Sequence, residues 1–215
     1  LVNIEELEKP LVIDLFAVQA NQGTRYDLPI YYLGELMSTN QELLLNKDLL
    51  PMGEHDGYQH LWQEGHTELK GSNFKMTWLN QRNFYSVTSI AEEGDQVILT
   101  RIGANDPSFN LRRDPGLIHR RKAGNTVFAS LYEMHGSYSY STEIPINSFS
   151  SITELKILNS SEEYLIIQFG LQSGEAYRFA FSLTDSAETG EHTVKVENSQ
   201  EISWTGVYDF KKTED

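Results

Sequence analysis

No cysteine occurs anywhere in the 215-residue chain. That absence removes disulfides, thiolate nucleophiles and Cys-type zinc sites together. Basic residues are scarce as well: 17 Lys and Arg face 31 Asp and Glu, for a formal charge of -14. A surface so acidic argues against nucleic-acid binding, which needs cations to neutralise phosphates. No apolar run approaches ~18 residues, so no membrane-spanning helix is expected. The chain opens on Leu1 without a basic stretch leading into an apolar one, which suggests a fragment or a processed form and leaves localisation open. Nucleophile elbows, glycine-rich phosphate loops and paired-carboxylate motifs are missing too. Helical patterning is nearly absent: only "ELLLNKDLL" (42–50) and "SSITELKIL" (150–158) look briefly helical, and neither could bury a helical core.

What remains is dominated by period-two alternation. "LVIDLFAV" (11–18), "LPIYYLG" (28–34), "FKMTWL" (74–79), "FYSVTSI" (84–90), "VILTRI" (97–102) and "VFASLYEM" (127–134) read as strands. So do "YLIIQFG" (164–170), "AYRFAFSL" (176–183), "HTVKVE" (192–197) and "ISWTGVYDF" (202–210). Turn signals stand between them at 80–81, 93–95, 123–125, 172–175 and 189–191. Short strands with tight turns and no interleaved helices predict an all-β, antiparallel sandwich or barrel. Residues 1–215 are read as a single domain, with nothing forcing a boundary near 147–151.

Against its acidic background the chain gathers cations in one place. Between Arg101 and Lys122 six basic residues face only Asp106 and Asp114, so this segment is net +4. Each Asp precedes Pro and reads as a turn starter bonded to local backbone. Arg112-Arg113 and Arg120-Arg121 are adjacent pairs, so on a strand each pair sends one guanidinium to either face. Arginine grips carboxylates bidentately. The segment therefore points to a carboxylated ligand, an acidic partner domain, or pairing with the chain's own surplus carboxylates. In "YEMHGSYSYS", Glu133 and His135 share a strand face and Tyr138 and Tyr140 follow in phase. Such a face suits sugar contact, domain docking or plain solvation, and Gly136 would admit a ligand or another chain segment at close range.

His55, His60 and His66 fall within twelve residues, but their spacings of five and six match no compact ligand pattern. The reading preferred is a polar loop that packs Tyr58, Leu61 and Trp62 into the core, with His60 hydrogen-bonded.

Five stretches carry a resemblance: "RYDLPIYYLGELMST" (25–39), "MGEHDGYQHLW" (52–62), "TWLNQRNFYSVTS" (77–89), "IGANDPSFNLRRDPGLIHRRK" (102–122) and "FASLYEMHGSYS" (128–139). Together they resemble the C-terminal region of the oligoalginate lyases of polysaccharide lyase family 17, within the heparinase II/III-like group. The likeness covers 10–140 well and the remainder by strand pattern; "ANDPSFNLRRDP" and "GYQHLW" are its specific pieces. It implies a large β-sandwich of the heparinase II/III C-terminal kind, following a helical toroid, with the active site in the cleft between them. Such lyases cleave uronate polymers by β-elimination. A Tyr or His removes the C5 proton, a Tyr protonates the leaving oxygen, and Asn or His groups stabilise the uronate carboxylate.

The helical toroid is missing from this chain, and the resemblance places the base, the acid and the ligands of a structural zinc outside it. No catalytic residue and no metal ligand is therefore assigned, no cofactor is expected in this chain, and the chain alone is expected to be inactive. Arg112, Arg113, Glu133, His135 and Tyr138 are the candidate contacts to substrate or to the helical domain. The expected partners are that helical domain and an acidic uronate oligosaccharide, with neither nucleic acid nor membrane. Exposed strand edges could also pair two copies into a dimer. A free-standing carbohydrate-binding or surface-adhesion module is the rival reading. The family resemblance suggests a bacterial periplasmic or secreted setting.

Overall fold

A computed structural model describes residues 1–20, 22–103, 113–184, 189–196 and 200–213. The expected all-β architecture is what these residues form: four antiparallel sheets and a single 3-10 turn at Tyr58–His60.

One sheet runs β1 (Val12–Val18), β10 (Thr126–Ser139), β7 (Asn83–Ile90), β6 (Asn73–Asn80), β3 (Glu35–Thr39), with β11 (Ile144–Ile146) added to the far end of β10. A second runs β2 (Thr24–Tyr31), β9 (Asp114–Ala123), β8 (Gln96–Ile102), β5 (Leu61–Glu68), β4 (Leu44–Pro51). A third is β12 (Ile152–Ser160), β13 (Tyr164–Leu171), β14 (Ala176–Ser182), β17 (Tyr208–Thr213), and a fourth is the hairpin of β15 (Glu191–Lys195) and β16 (Glu201–Thr205).

The first sheet is the middle layer, because successive side chains on a strand point to opposite faces. Phe74, Met76 and Trp78 of β6 and Val87 of β7 pack with Val97, Leu99 and Leu117 of the second sheet. Val127, Ala129 and Leu131 of β10 pack the other way, against Ile152, Leu155, Leu165, Ile167 and Phe169. A third, smaller cluster joins Ile166 and Ala180 to Val194, Ile202 and Trp204 of the hairpin.

The two segments that looked helical are strands. Residues 44–51 form β4 and residues 152–160 form β12, each with a register shift in its pairing. A bulge adds one residue to a strand and breaks strict alternation, so apolar residues fall at three- and four-residue spacings that imitate a helix. The run 202–210, read as one strand, is two, turned at Gly206 with φ +89°.

One member of the basic segment, Arg121, is built into the seam between the first and second sheets. Arg121 is 1% exposed, and its Nε and Nη2 donate to the two carboxylate oxygens of Asp95 at 2.9 and 2.6 Å. Its Nη1 donates to Thr126 Oγ1 and to the carbonyl of Val127, each at 2.9 Å, and to Glu92 at 2.8 Å. The guanidinium also lies 4.7 Å over the Phe128 ring. Asp95 accepts further hydrogen bonds from His119 Nε2 at 2.8 Å and from the Glu92 amide at 2.9 Å.

Gly136 allows a second closure. Its φ is +51°, and a Cβ there would stand 2.1 Å from the Asn147 carbonyl oxygen, so the returning segment 146–147 fits only against glycine.

Two stability predictions follow from these contacts. Burial pushes the Asp95 carboxyl up, but hydrogen bonds from His119, Arg121 and the Glu92 amide overcome it and hold the pKa at about 2, below the ordinary 3.8. A depressed folded-state pKa stabilises the fold fully above about 3.8 and loses that contribution as pH falls toward about 2, a loss on the order of 2 kcal/mol. Urea unfolding of Arg121→Met should show a loss of about 3–5 kcal/mol, with Asp95→Asn in the same chain restoring part of it and flattening the acid dependence. Calorimetry should separate Gly136→Ala from Gly94→Ala. Gly94, at φ +84°, has nothing near its Cβ position, so its substitution should cost about 1 kcal/mol and that at Gly136 clearly more.

Candidate functional site

Glu133 and His135 share a face of β10, as their spacing predicts, but the chain itself covers that face. Glu133 is 4% exposed; its carboxylate accepts from Ser150 Oγ at 2.6 Å and from the Ser151 amide at 2.9 and 3.1 Å. His135 is 6% exposed and sits between the Asn147 carbonyl, 2.7 Å from Nδ1, and Ser86 Oγ, 2.8 Å from Nε2. A carbonyl only accepts, so Nδ1 carries a proton and donates it to the Asn147 carbonyl, while Nε2 pairs with the Ser86 hydroxyl. Ser86 in turn pairs with Thr77 at 2.6 Å. These two side chains fasten residues 147–151 onto the middle sheet. The approach that Gly136 admits is made by this same segment.

Beyond His135 the strand leaves the interior, and Tyr138 lies on an open cleft of about 660 Å³ with Tyr140, Ser139, Ser141, Asn83 and Arg82. The two tyrosine rings meet edge to face at 5.1 Å. The cleft floor is the β6–β7 hairpin tip, where Gln81 takes φ +56°, the Gln81 carbonyl accepts from Tyr140 Oη and the Arg82 carbonyl accepts from the Tyr138 amide at 2.8 Å. Arg82 is exposed, and its guanidinium has no hydrogen bond or ion pair among the described residues. Further along the same hairpin, Trp78 stacks on Tyr85 at 5.6 Å and meets Tyr32 at 5.4 Å. Arg101 also influences Tyr32 and is held by Glu64 at 2.8 Å. A free guanidinium beside two rings and several hydroxyls can hold a carboxylate and stack on a sugar face.

Nothing in the sequence points to Arg82. Residues 80–81 carry a turn signal, but only the return of β10 past that turn shows which side chain the tip presents.

Other members of the basic segment are committed elsewhere. Arg120 grips Asp27 with two hydrogen bonds of 2.8 and 2.7 Å, and Tyr58 Oη donates to the same carboxylate. Arg113 is exposed, and its carbonyl accepts from Arg101 at 3.3 Å. Arg112 and Asp106 lie outside the described residues. Pairing with the chain's own carboxylates thus accounts for Arg101, Arg120 and Arg121.

The histidine loop differs from its expected packing. Tyr58, Leu61 and Trp62 are only partly buried, and His60 is exposed with no side-chain partner among the described residues. His66 makes a 3.5 Å contact with Gln63, and His55 is exposed. Among the described residues no group of three or more His, Asp or Glu side chains fits a metal ion.

Four tyrosine hydroxyls move in the direction opposite to that of a general base. Burial raises those of Tyr32, Tyr132 and Tyr177, the last two to about 12, and a hydrogen bond to Asp27 raises Tyr58.

No family model matches the chain. Two curated proteins do. An exo-oligoalginate lyase of Saccharophagus degradans (strain 2-40) is 32% identical over 211 residues, which cover 96% of this chain and 28% of that protein. An alginate lyase of Stenotrophomonas maltophilia (strain K279a) is 34% identical over 204 residues, 94% of this chain and 27% of that protein. The likeness extends well past 10–140 into the third sheet, and this chain spans little more than a quarter of each relative. Along nearly its whole length, the chain is related to alginate lyases.

Proposed function

We infer that this chain is the sheet-only portion of an alginate lyase, serving β-elimination of uronate chains without supplying the reacting groups. In this reading it forms one wall of the substrate cleft and docks on a helical catalytic domain, following the polysaccharide lyase family 17 pattern. Any zinc is bound outside this chain. Arg82 and Tyr138 contact the acidic oligosaccharide, while Arg112 and Arg113 face the substrate or the helical domain. Glu133 and His135 act through the backbone they hold.

The observation that carries this reading is the open cleft where Arg82, without an ion pair among the described residues, stands beside Tyr138 and Tyr140 in a chain of net charge -14. Among the described residues Arg101, Arg120 and Arg121 are matched to the chain's own carboxylates, so a guanidinium without such a partner beside two rings supports an anionic, pyranose-bearing ligand. Both relatives are named for action on alginate, which favours a lyase over a free-standing adhesion module.

The test follows unsaturated uronate by its ultraviolet absorbance. The 215-residue chain alone should release none. In a polypeptide of the relatives' length, Arg82→Ala and Tyr138→Ala should together raise KM for oligoalginate about tenfold, the loss of about 1.4 kcal/mol of ligand contact, with kcat little changed. Turnover by the chain alone, or an unaltered KM, would overturn the reading. If Arg112→Ala with Arg113→Ala leaves kinetics intact but weakens domain association, those two arginines belong to docking.

A further inference from the structure

The strap at 147–151 builds a second concavity, on the opposite flank of Glu133 and His135 from Tyr138. A cleft of about 460 Å³ lies between β3 and β6 on one side and residues 149–153 on the other. This is within the roughly 300–1,000 Å³ typical of small-molecule sites. Lys75 stands in it, half-buried, with Nζ donating to the Ile152 carbonyl at 2.9 Å and to the Thr153 carbonyl at 2.6 Å. An ammonium has three donors, and the two neutral carbonyls leave one donor free, with no carboxylate in hydrogen-bond contact among the described residues. Phe149 forms the rim and is 75% exposed, although the residues on both sides of it are pinned by His135 and Glu133. An aromatic ring held out in solvent by a fastened backbone is a platform in search of a face.

The remaining walls are polar and already fixed. Asn40 exchanges hydrogen bonds with the Lys75 backbone at 2.8 and 3.1 Å, and Gln172 donates to the Ser150 carbonyl at 2.8 Å. Such preorganisation lowers the ordering cost of binding.

We propose that this cleft is a binding site for a carboxylated pyranoside, with Lys75 taking the carboxylate and Phe149 the ring face. Burial lowers the Lys75 pKa from its ordinary value, and the charges of Glu133 and Glu154 only partly restore it. A bound carboxylate completes that compensation. The site stands apart from the Tyr138 cleft and does not depend on the lyase reading.

The test uses the 215-residue chain carrying Phe149→Trp, a conservative change at an exposed rim that reports ligand by its emission. Hexamannuronate should shift that emission saturably, and cellohexaose and sodium acetate should not. In calorimetry on the otherwise unchanged chain, Phe149→Ala should weaken binding at least about fivefold. Lys75→Gln should weaken it about tenfold, and Lys75→Arg should retain most of it. Because Lys75 also braces two carbonyls, each variant is first shown to keep its unfolding midpoint. Arg82→Ala should leave the emission shift intact. The proposal is overturned by no saturable response to hexamannuronate, by an equal response to cellohexaose or acetate, or by a response that Arg82→Ala abolishes. The last result would assign binding to the Tyr138 cleft and leave the lyase reading standing.

Discussion

Arg121 and Asp95 share a buried ion pair at the seam between two sheets, and the other bonds of the pair each tie down a separate piece of backbone. Arg121 starts from β9, meets the β7–β8 turn at Asp95 and Glu92, and reaches the first residues of β10. Asp95 also accepts a hydrogen bond from His119, two residues before Arg121 on the same strand. Such a pair stabilises little against an apolar substitute of the same shape, because both charges were taken out of water. What it supplies is registry. A guanidinium with acceptors for Nε and both Nη groups has one arrangement in which they are all met, and that arrangement fixes the second sheet on the first.

With that seam fixed, one strand carries the molecule from core to surface. At its start β10 is buried on both faces, Val127, Ala129 and Leu131 toward the third sheet and Phe128 and Ser130 toward the second. Two residues later on the same face, Glu133 and His135 replace the apolar side chains and hold the strap at 147–151. Past Gly136 the strand is solvated and presents Tyr138. The polar pair is needed because the third sheet no longer covers this part of the face. A strap with its own carbonyls and amides takes its place, and buried backbone groups require partners. The two clefts are consequences of where that strap is fastened.

The sequence shows some of this plainly and hides the rest. Strands with unbroken alternation, such as β6 with Phe74, Met76 and Trp78 on one face, are legible because period two has no helical counterpart. β4 and β12 are hidden by their register shifts, which space leucines and isoleucines as a helix would. The shared face of Glu133 and His135 is legible from two-residue spacing, and so is the close approach at Gly136. Their burial is not, because the covering segment returns from more than ten residues downstream. The same holds for the arginines. Nothing local to Arg120 and Arg121 announces Asp27 and Asp95, which lie 93 and 26 residues away along the chain. Composition reveals that cations are gathered here, and only topology shows that three of them are already paired.

In the proposed reading, an acidic sugar approaches a protein whose net charge has the same sign. At physiological ionic strength, screening acts over about 8 Å, so a ligand at the surface responds to its immediate neighbours and hardly to the net charge of -14. Local sorting therefore decides the outcome. Arg101, Arg120 and Arg121 are matched to Glu64, Asp27 and Asp95, which neutralises them as attractors. Among the described residues Arg82 and Lys75 have no carboxylate in hydrogen-bond contact, and each stands in a cleft beside an exposed ring, Tyr140 in one case and Phe149 in the other. The proposed preference for one anion rests on this pairing of a cation with a ring in both places. In the proposed reading, an anion that carries a flat, hydroxyl-bearing ring gains from both the cation and the aromatic face, and a simple anion gains from the cation alone.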